Sequence, residues 1–204
     1  MGAEASREAA TAKRRMGPSG SPSWNLLLDA AEAVLRDEGY AAFSSRTIAA
    51  RAGVNQQLVY YYFHSMEELI VAAFRRSAER EMARLEAAAA SDRPLHGIWQ
   101  VRSQKRDLRP MSEFAALASR IPDLGAEIVA FRQKVRRLQV EALQRSLGDR
   151  EAPLLELRAP ALVALLDYVA LQLKREIELG AIEGQRELVD GFEAFLDRIE
   201  DGPD

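Results

Sequence analysis

The sequence predicts an all-α protein in two parts, a small amino-terminal helical domain built around a helix-turn-helix and a larger helical domain after it. Three observations carry this. Apolar residues recur at three- and four-residue spacing over most of the 204 residues. Strand-type alternation and hairpin turn signals are lacking. Residues 44–69, SSRTIAARAGVNQQLVYYYFHSMEEL, read as two short helices around a tight turn.

The elements follow in order. Residues 1–22 are rich in Ala, Ser, Gly and charge and lack lasting periodicity, as expected of an arm. Lys13, Arg14 and Arg15 form a basic cluster within it. The cluster suits a solvated tail first, and otherwise an arm reaching phosphates or the minor groove. A helix then starts near Pro22-Ser23, with Trp24, Leu27, Leu28, Ala31, Val34 and Leu35 at helical spacing, and Gly39 ends it. Ser44 is placed to cap the next helix, whose apolar face is Ile48, Ala49 and Ala52. Ala49 is small enough for a second helix to cross closely. Gly53 supplies the positive φ of a helix-ending turn, Val54 plugs that turn, and Asn55 caps the following helix. On that helix Val59, Tyr62 and Phe63 point inward, leaving Gln56, Gln57, Tyr60, Tyr61 and His64 outward. A second helix so equipped can enter a DNA major groove.

Ser65 with Glu68 three residues later forms a capping box for a fourth helix. Leu69, Ile70, Ala73, Phe74 and Leu85 carry it to about Ala88. Further helices are predicted from about Leu95 to Gln104, from about Met111 to Ser119, and from Pro122 to about Leu147, where Gly148 follows. Another begins after Leu155 and ends at Gly180, and the last runs from about Gln185 to Ile199. The segment Leu162–Leu173 is apolar almost all round, so it should be buried on more than one side. The final helix presents Leu188, Val189, Phe192, Phe195, Leu196 and Ile199 on one face, with Gly191 permitting close approach.

Composition narrows the function classes. The net charge of −3 argues against a general basic coating. Residues 1–64 hold 7 Lys/Arg against 6 Asp/Glu, and residues 65–204 hold 21 against 25, so the amino-terminal part is the more basic. Absence of Cys removes disulfides, thiol chemistry and Cys-based metal sites, and fits a reducing cytoplasm. Residues 1–22 lack the apolar run of a signal peptide or anchor, and no stretch reaches the ~18 apolar residues of a membrane span. His64 and His96 are too few and too far apart for a metal cluster. No catalytic constellation, phosphate-cradling loop or dinucleotide fingerprint is present, so neither enzyme activity nor a cofactor is expected.

The segment from about Trp24 to Phe74 resembles the DNA-binding domain of the TetR family of bacterial transcriptional regulators. The resemblance rests on Gly39-Tyr40, Ser44, Ile48-Ala49-Ala50-Arg51-Ala52-Gly53-Val54, Tyr60-Tyr61-Tyr62-Phe63 and Ser65-Met66-Glu67-Glu68-Leu69. It covers about a quarter of the chain. Met66 departs from the family's usual Lys, which removes a phosphate contact. Gln57 replaces a commonly small residue, which adds a base-reading side chain.

Composition makes residues 1–22 a flexible basic arm, and the resemblance implies a helix-turn-helix DNA-binding domain over 23–74 and a helical ligand-binding and dimerisation domain over 75–204. It implies a cytoplasmic homodimeric regulator, a repressor released from a double-stranded operator by a small-molecule effector. Gln57 would pair with adenine and Tyr61 would touch a base edge or a thymine methyl. Ser44, Ser45, Arg46 and Tyr60 would hold phosphates, with Asn55, Gln56 and His64 completing the DNA-facing set. The family's effector pocket lies among the later helices. Asp167, Tyr168 and Gln172 interrupt the most apolar helix, and Trp99, Gln100, Met111 and Phe114 could face them. The last two helices would pair with their symmetry mates, or else both faces would serve one monomer's core. A different reading stays open at this point: a helical adaptor that uses the exposed tyrosine cluster to bind a protein.

Overall fold

The computed structural model describes residues 18–103, 109–148, 158–180 and 184–201, and the described residues are helical with short connections. The basic cluster Lys13, Arg14 and Arg15 lies outside them. The helices are α1 (Pro22–Asp37), α2 (Ser45–Ala52), α3 (Gln56–Tyr62), α4 (Met66–Ala89), α5 (Pro94–Ser103), α6 (Arg109–Leu117), α7 (Pro122–Leu147), α8 (Ala159–Leu179) and α9 (Gln185–Glu200). A 3-10 turn, Tyr40–Ala42, joins α1 to α2 and was not foreseen. It forms because Gly39, at φ 76°, turns the chain out of α1. No helix among them is long and apolar enough to cross a membrane.

The chain divides into two compact units. The first comprises Met1–Ser77 with Asp107–Ile128, and the second comprises Ala78–Arg106 with Val129–Asp204. Residues 107–128 thus group with the amino-terminal helices, although they follow the linear boundary expected after residue 74.

In the first unit, α1 begins at the Ser21 cap, whose hydroxyl accepts from the Trp24 N–H, with Pro22 in the first turn. Its apolar stripe, Leu27, Leu28, Ala31, Val34 and Leu35, is buried. Trp24 lies 4.2 Å, ring to ring, from Phe63, and Ser21 donates to the Tyr62 hydroxyl at 3.1 Å, so the end of α3 is seated on the start of α1. Glu32 is buried on α1, and Arg76 of α4 answers it with a 3.1 Å hydrogen bond from Nε. The same guanidinium reaches the Asn25 carbonyl at 3.1 Å, tying α4 to α1. A buried carboxylate without such a partner would be strongly destabilising. Phe114 of α6 is fully buried edge-on to Phe74, and Glu113 accepts from the Tyr40 N–H at 3.2 Å.

In the second unit, α5 and α8 pack together around Leu95, Ile98, Trp99, Leu162, Val163, Ala170 and Leu173, joined by Leu143 and Leu147 of α7 and Phe195, Leu196 and Ile199 of α9. Gly97 permits the close crossing of α5 and α4: a Cβ there would lie 3.0 Å from the Ala88 carbonyl oxygen. Leu165, Tyr168 and Leu171 stand three residues apart on α8 and remain exposed, as does Leu188 on α9. The helix expected to be buried on more than one side therefore buries one side within its own unit.

Candidate functional site

The helix-turn-helix is assembled by local chemistry. Ser44 caps α2 by accepting from the Thr47 N–H at 3.2 Å. Gly53 ends α2 at φ 66° and ψ 30°, the left-handed region in which a side chain is strained. The Gly53 N–H reaches the Ala50 carbonyl and the Val54 N–H reaches the Ala49 carbonyl at 3.0 Å, a Schellman turn that satisfies the helix end. Val54 is half-buried beneath it. Asn55 then caps α3, accepting from the Gln57 N–H at 2.9 Å. Val59, Tyr62 and Phe63 are buried, while Gln56, Gln57, Tyr60, Tyr61 and His64 are exposed. Every inward and outward assignment read from the sequence on this helix is reproduced.

Two side chains of α3 are held from α2. The Ser45 hydroxyl lies 2.9 Å from the Tyr60 hydroxyl, and the Gln56 amide donates to it at 2.7 Å. Ser45 is itself buried, at 6% exposure. It was expected to touch phosphate directly. Its place in the structure is instead beneath the surface, where it orients two residues that do reach solvent. Arg46 is exposed, whereas Arg51 is paired with Asp37 and, at 3.0 Å, with Glu38. These hydrogen-bonded carboxylates hold the Arg51 guanidinium above its usual pKa. Ser65 caps α4 by accepting from the Glu68 N–H at 3.1 Å, and the Glu68 carboxylate returns to the His64 N–H at 2.7 Å. The box thus closes one residue earlier than the simplest form, and it holds the backbone of His64.

A second feature lies wholly within the second unit: a cavity of ≈ 40 Å³ lined by α5, α7, α8 and α9. Its walls include Leu95, Ile98, Trp99, Leu143, Val163, Leu166 and Phe192, with Arg102, Gln139 and Asp167 as polar members. The Gln139 amide donates to Asp167 at 2.8 Å, and Arg102 pairs with the same oxygen at 3.2 Å. Trp99 and Phe192 face each other with ring centres 4.1 Å apart.

Of the ligand residues read from the sequence, Trp99 and Asp167 come together here. The others do not. Gln100 and Tyr168 are exposed, and Gln172 is exposed and donates to Glu176 at 3.1 Å. Met111 and Phe114 belong to the first unit, where Phe114 packs on Phe74. Arg102 and Gln139 were missed, although a signal existed. Arg102 continues the Leu95, Ile98, Trp99 face, and Gln139 follows Val135 by four residues, so each is a polar residue on an apolar helical stripe.

The cavity's walls are clamped at one end. Glu200 of α9 accepts from the Leu95 N–H at 2.6 Å and meets the His96 ring at 2.5 Å, and His96 also lies 3.1 Å from Asp197. Arg93 donates to Asp197 at 2.5 Å, and that hydrogen bond holds the Asp197 carboxyl below its usual range. His96 is therefore a structural residue joining α5 to α9. Among the described residues no group of three His, Cys, Asp or Glu is placed to hold a metal ion.

Residues 27–73 match the family model described as bacterial regulatory proteins, tetR family. No curated protein matches the chain. Among solved structures, it is similar to a candidate transcriptional regulator from Pseudomonas aeruginosa PAO1, with 26% identity over 87% of this chain and 90% of that one and a TM-score of 0.66. A TetR transcription regulator from Haloarcula marismortui ATCC 43049 shares the fold at a TM-score of 0.71, with 16% identity over 86% of this chain and 96% of that one. The multidrug binding protein EbrR, solved with imidazole, is 25% identical over 92% of this chain and 99% of that one, with a TM-score of 0.58. The chain carries the helix-turn-helix domain of the tetR family of transcriptional regulators, followed by a helical region of the same fold as in those regulators.

Proposed function

We propose that the protein is a cytoplasmic, ligand-responsive repressor that binds a palindromic operator as a homodimer and is released by a small molecule. The observation that carries this is the outward face of α3, on which Gln57 and Tyr61 are exposed while Gln56 and Tyr60 are held from beneath by Ser45. A recognition helix reads base edges with a few side chains while neighbouring groups grip the backbone. Gln57 supplies the bidentate amide that suits adenine, and Tyr61 the apolar edge that suits a thymine methyl. Ser44, Arg46, Asn55, Tyr60 and His64 ring this face and serve phosphates. Residues 23–74 act as the DNA-binding domain, with 1–22 as a basic arm. Residues 75–204 supply the effector cavity and the dimer contacts.

Two features support the carboxy-terminal roles. The cavity combines apolar walls with a few polar groups, and EbrR, a neighbour of the same fold, is a multidrug binding protein. The row Leu165, Tyr168 and Leu171 is an exposed apolar face of the kind a partner subunit covers. Helix α4 has buried residues in both units, Phe74 in the first and Leu85 in the second, and this supports α4 as the element through which an effector acts. The effector shifts the dimer only as far as its affinities for the two states differ.

The test is selection of binding sites from random DNA by the purified protein. Wild type should enrich an inverted repeat with half-sites about one helical turn, ~34–36 Å, apart. Gln57→Ala and Tyr61→Ala should each change the preferred base at one position per half-site, with a loss of about 1–3 kcal/mol there. Unchanged preference in both variants would refute this docking of α3. A failure to enrich any sequence would favour a protein-binding role for the tyrosine face.

A further inference from the structure

Three side chains of α2 and α3 form one chain of hydrogen bonds with a direction. The Gln56 amide nitrogen lies 2.7 Å from the Ser45 hydroxyl, which lies 2.9 Å from the Tyr60 hydroxyl. Ser45 is 6% exposed, and Gln56 and Tyr60 are its side-chain partners among the described residues. Tyr60 is 54% exposed, so the chain runs from a buried oxygen to a residue at the surface. Its direction follows from what each group can give. An amide nitrogen only donates, so Ser45 accepts from Gln56. The Ser45 proton then goes to Tyr60, since a buried hydroxyl proton without an acceptor is costly. A phenol that accepts from Ser45 keeps its own proton for a group outside. Turned over, the Gln56 amide would present its carbonyl oxygen, draw the Ser45 proton to itself and turn the Tyr60 proton inward. The Tyr60 oxygen would then offer its surroundings only lone pairs.

We infer, resting on the reading of α3 as the DNA-facing helix, that Gln56 is a positioning residue. It acts through Ser45 to aim the Tyr60 proton outward, and so fits Tyr60 to an oxygen that can only accept, that of a DNA phosphodiester. Gln56 thereby leaves the set of residues that touch DNA. A phosphate oxygen has no proton to give, so the outward arrangement holds it with a charge-assisted bond and the reversed one repels it. Hydrogen bonds in a chain polarise one another, so donation by Gln56 also strengthens the bond that Tyr60 gives. A residue with no contact to DNA in this way decides whether a residue with such a contact is matched to it.

Gln56→Glu and Tyr60→Phe, made singly and together in the full chain, test this by fluorescence anisotropy. The probes are a duplex of random sequence at low salt and the selected operator. Glutamate keeps the reach of glutamine and still bridges to Ser45, but only as an acceptor, so it reverses the chain. Gln56 is the first residue of α3, where a carboxylate is favourable, so the variant should melt close to wild type. The added charge repels DNA alike with or without the Tyr60 hydroxyl. Reversal is therefore read as the difference between backgrounds. Gln56→Glu should weaken binding at least about fivefold more in wild type than in Tyr60→Phe. Gln56→Met, which removes the donor without reversing the chain, should show a smaller difference. If Gln56 merely held Tyr60 in place, glutamate would serve as well and the difference would vanish. If Gln56 touched DNA itself, its loss would be equal in the two backgrounds. Either result would overturn the inference, as would a difference for Gln56→Met as large as for Gln56→Glu. The expected difference on random duplexes, in a protein that enriches no sequence, would uphold the inference and sink the operator reading alone. An enriched operator with no difference would sink the inference alone, and no binding to any duplex would sink both.

Discussion

Replacing Ser45 by Ala separates positioning from contact at the candidate DNA surface. The change deletes one oxygen, and with it the 2.9 Å contact to Tyr60 and the 2.7 Å bond from Gln56. Each neutral hydrogen bond contributes about 0.5–1.5 kcal/mol net. Here both partners are exposed and regain water, and Ala is the better helix former by about 0.5 kcal/mol. The fold should therefore lose no more than about 1 kcal/mol, and its melting should stay close to wild type. Operator affinity should suffer more. Gln56 and Tyr60 would have to be ordered on binding, at about 0.5–1.5 kcal/mol for each side chain. That is about 1–3 kcal/mol for each half-site, or roughly 5- to 150-fold in affinity per half-site. No charge is removed, so the slope of log affinity against log salt should not change. Fluorescence anisotropy with the selected operator at several salt concentrations reads both quantities. The double variant Ser45→Ala with Tyr60→Phe should be less damaging than the two single losses added together, because both act on one network. Wild-type affinity in a normally folded Ser45→Ala protein would refute the positioning role.

Three further outcomes are expected. Leu165→Glu or Leu171→Glu, at residues 41% and 45% exposed, should yield a folded monomer, since burying a Leu is worth about 1.5–3 kcal/mol and each is lost twice per dimer; sedimentation indistinguishable from wild type would show that this face is not the seam. Leu196→Glu, at 1% exposure, should instead unfold the unit. Asp197 has its folded pKa depressed, chiefly by the Arg93 hydrogen bond, so its contribution is present above the unfolded carboxyl value of ~3.9 and fades as pH falls through the lower folded value. Melting temperature should accordingly separate wild type from Asp197→Asn at pH 5–7, with the gap narrowing progressively as pH falls below about 4, and a constant gap down to pH 2 would contradict that origin.

The local chemistry of the helix-turn-helix was legible in the chain itself. Ser44, Gly53 and Asn55 cap and turn through bonds to residues within five positions, so neighbours in sequence decide them. The division of α3 into Val59, Tyr62 and Phe63 inward and Gln57, Tyr60 and Tyr61 outward follows from the helical repeat alone. The long-range choices were not legible. Ser45 lies on the same helix as Arg46, yet one is buried beneath α3 and the other exposed, because packing of two helices selects which hydroxyl is covered. The stripe on α8 contains Asp167 and Tyr168 side by side, but only Asp167 meets Arg102 and Gln139, from helices some 65 and 28 residues away in the chain. Periodicity marks a helix as having faces. Which face meets the cavity, which meets the core and which is left for a partner is a property of the assembled helices, since every apolar face gains the same free energy from leaving water and only tertiary packing decides what it leaves water for.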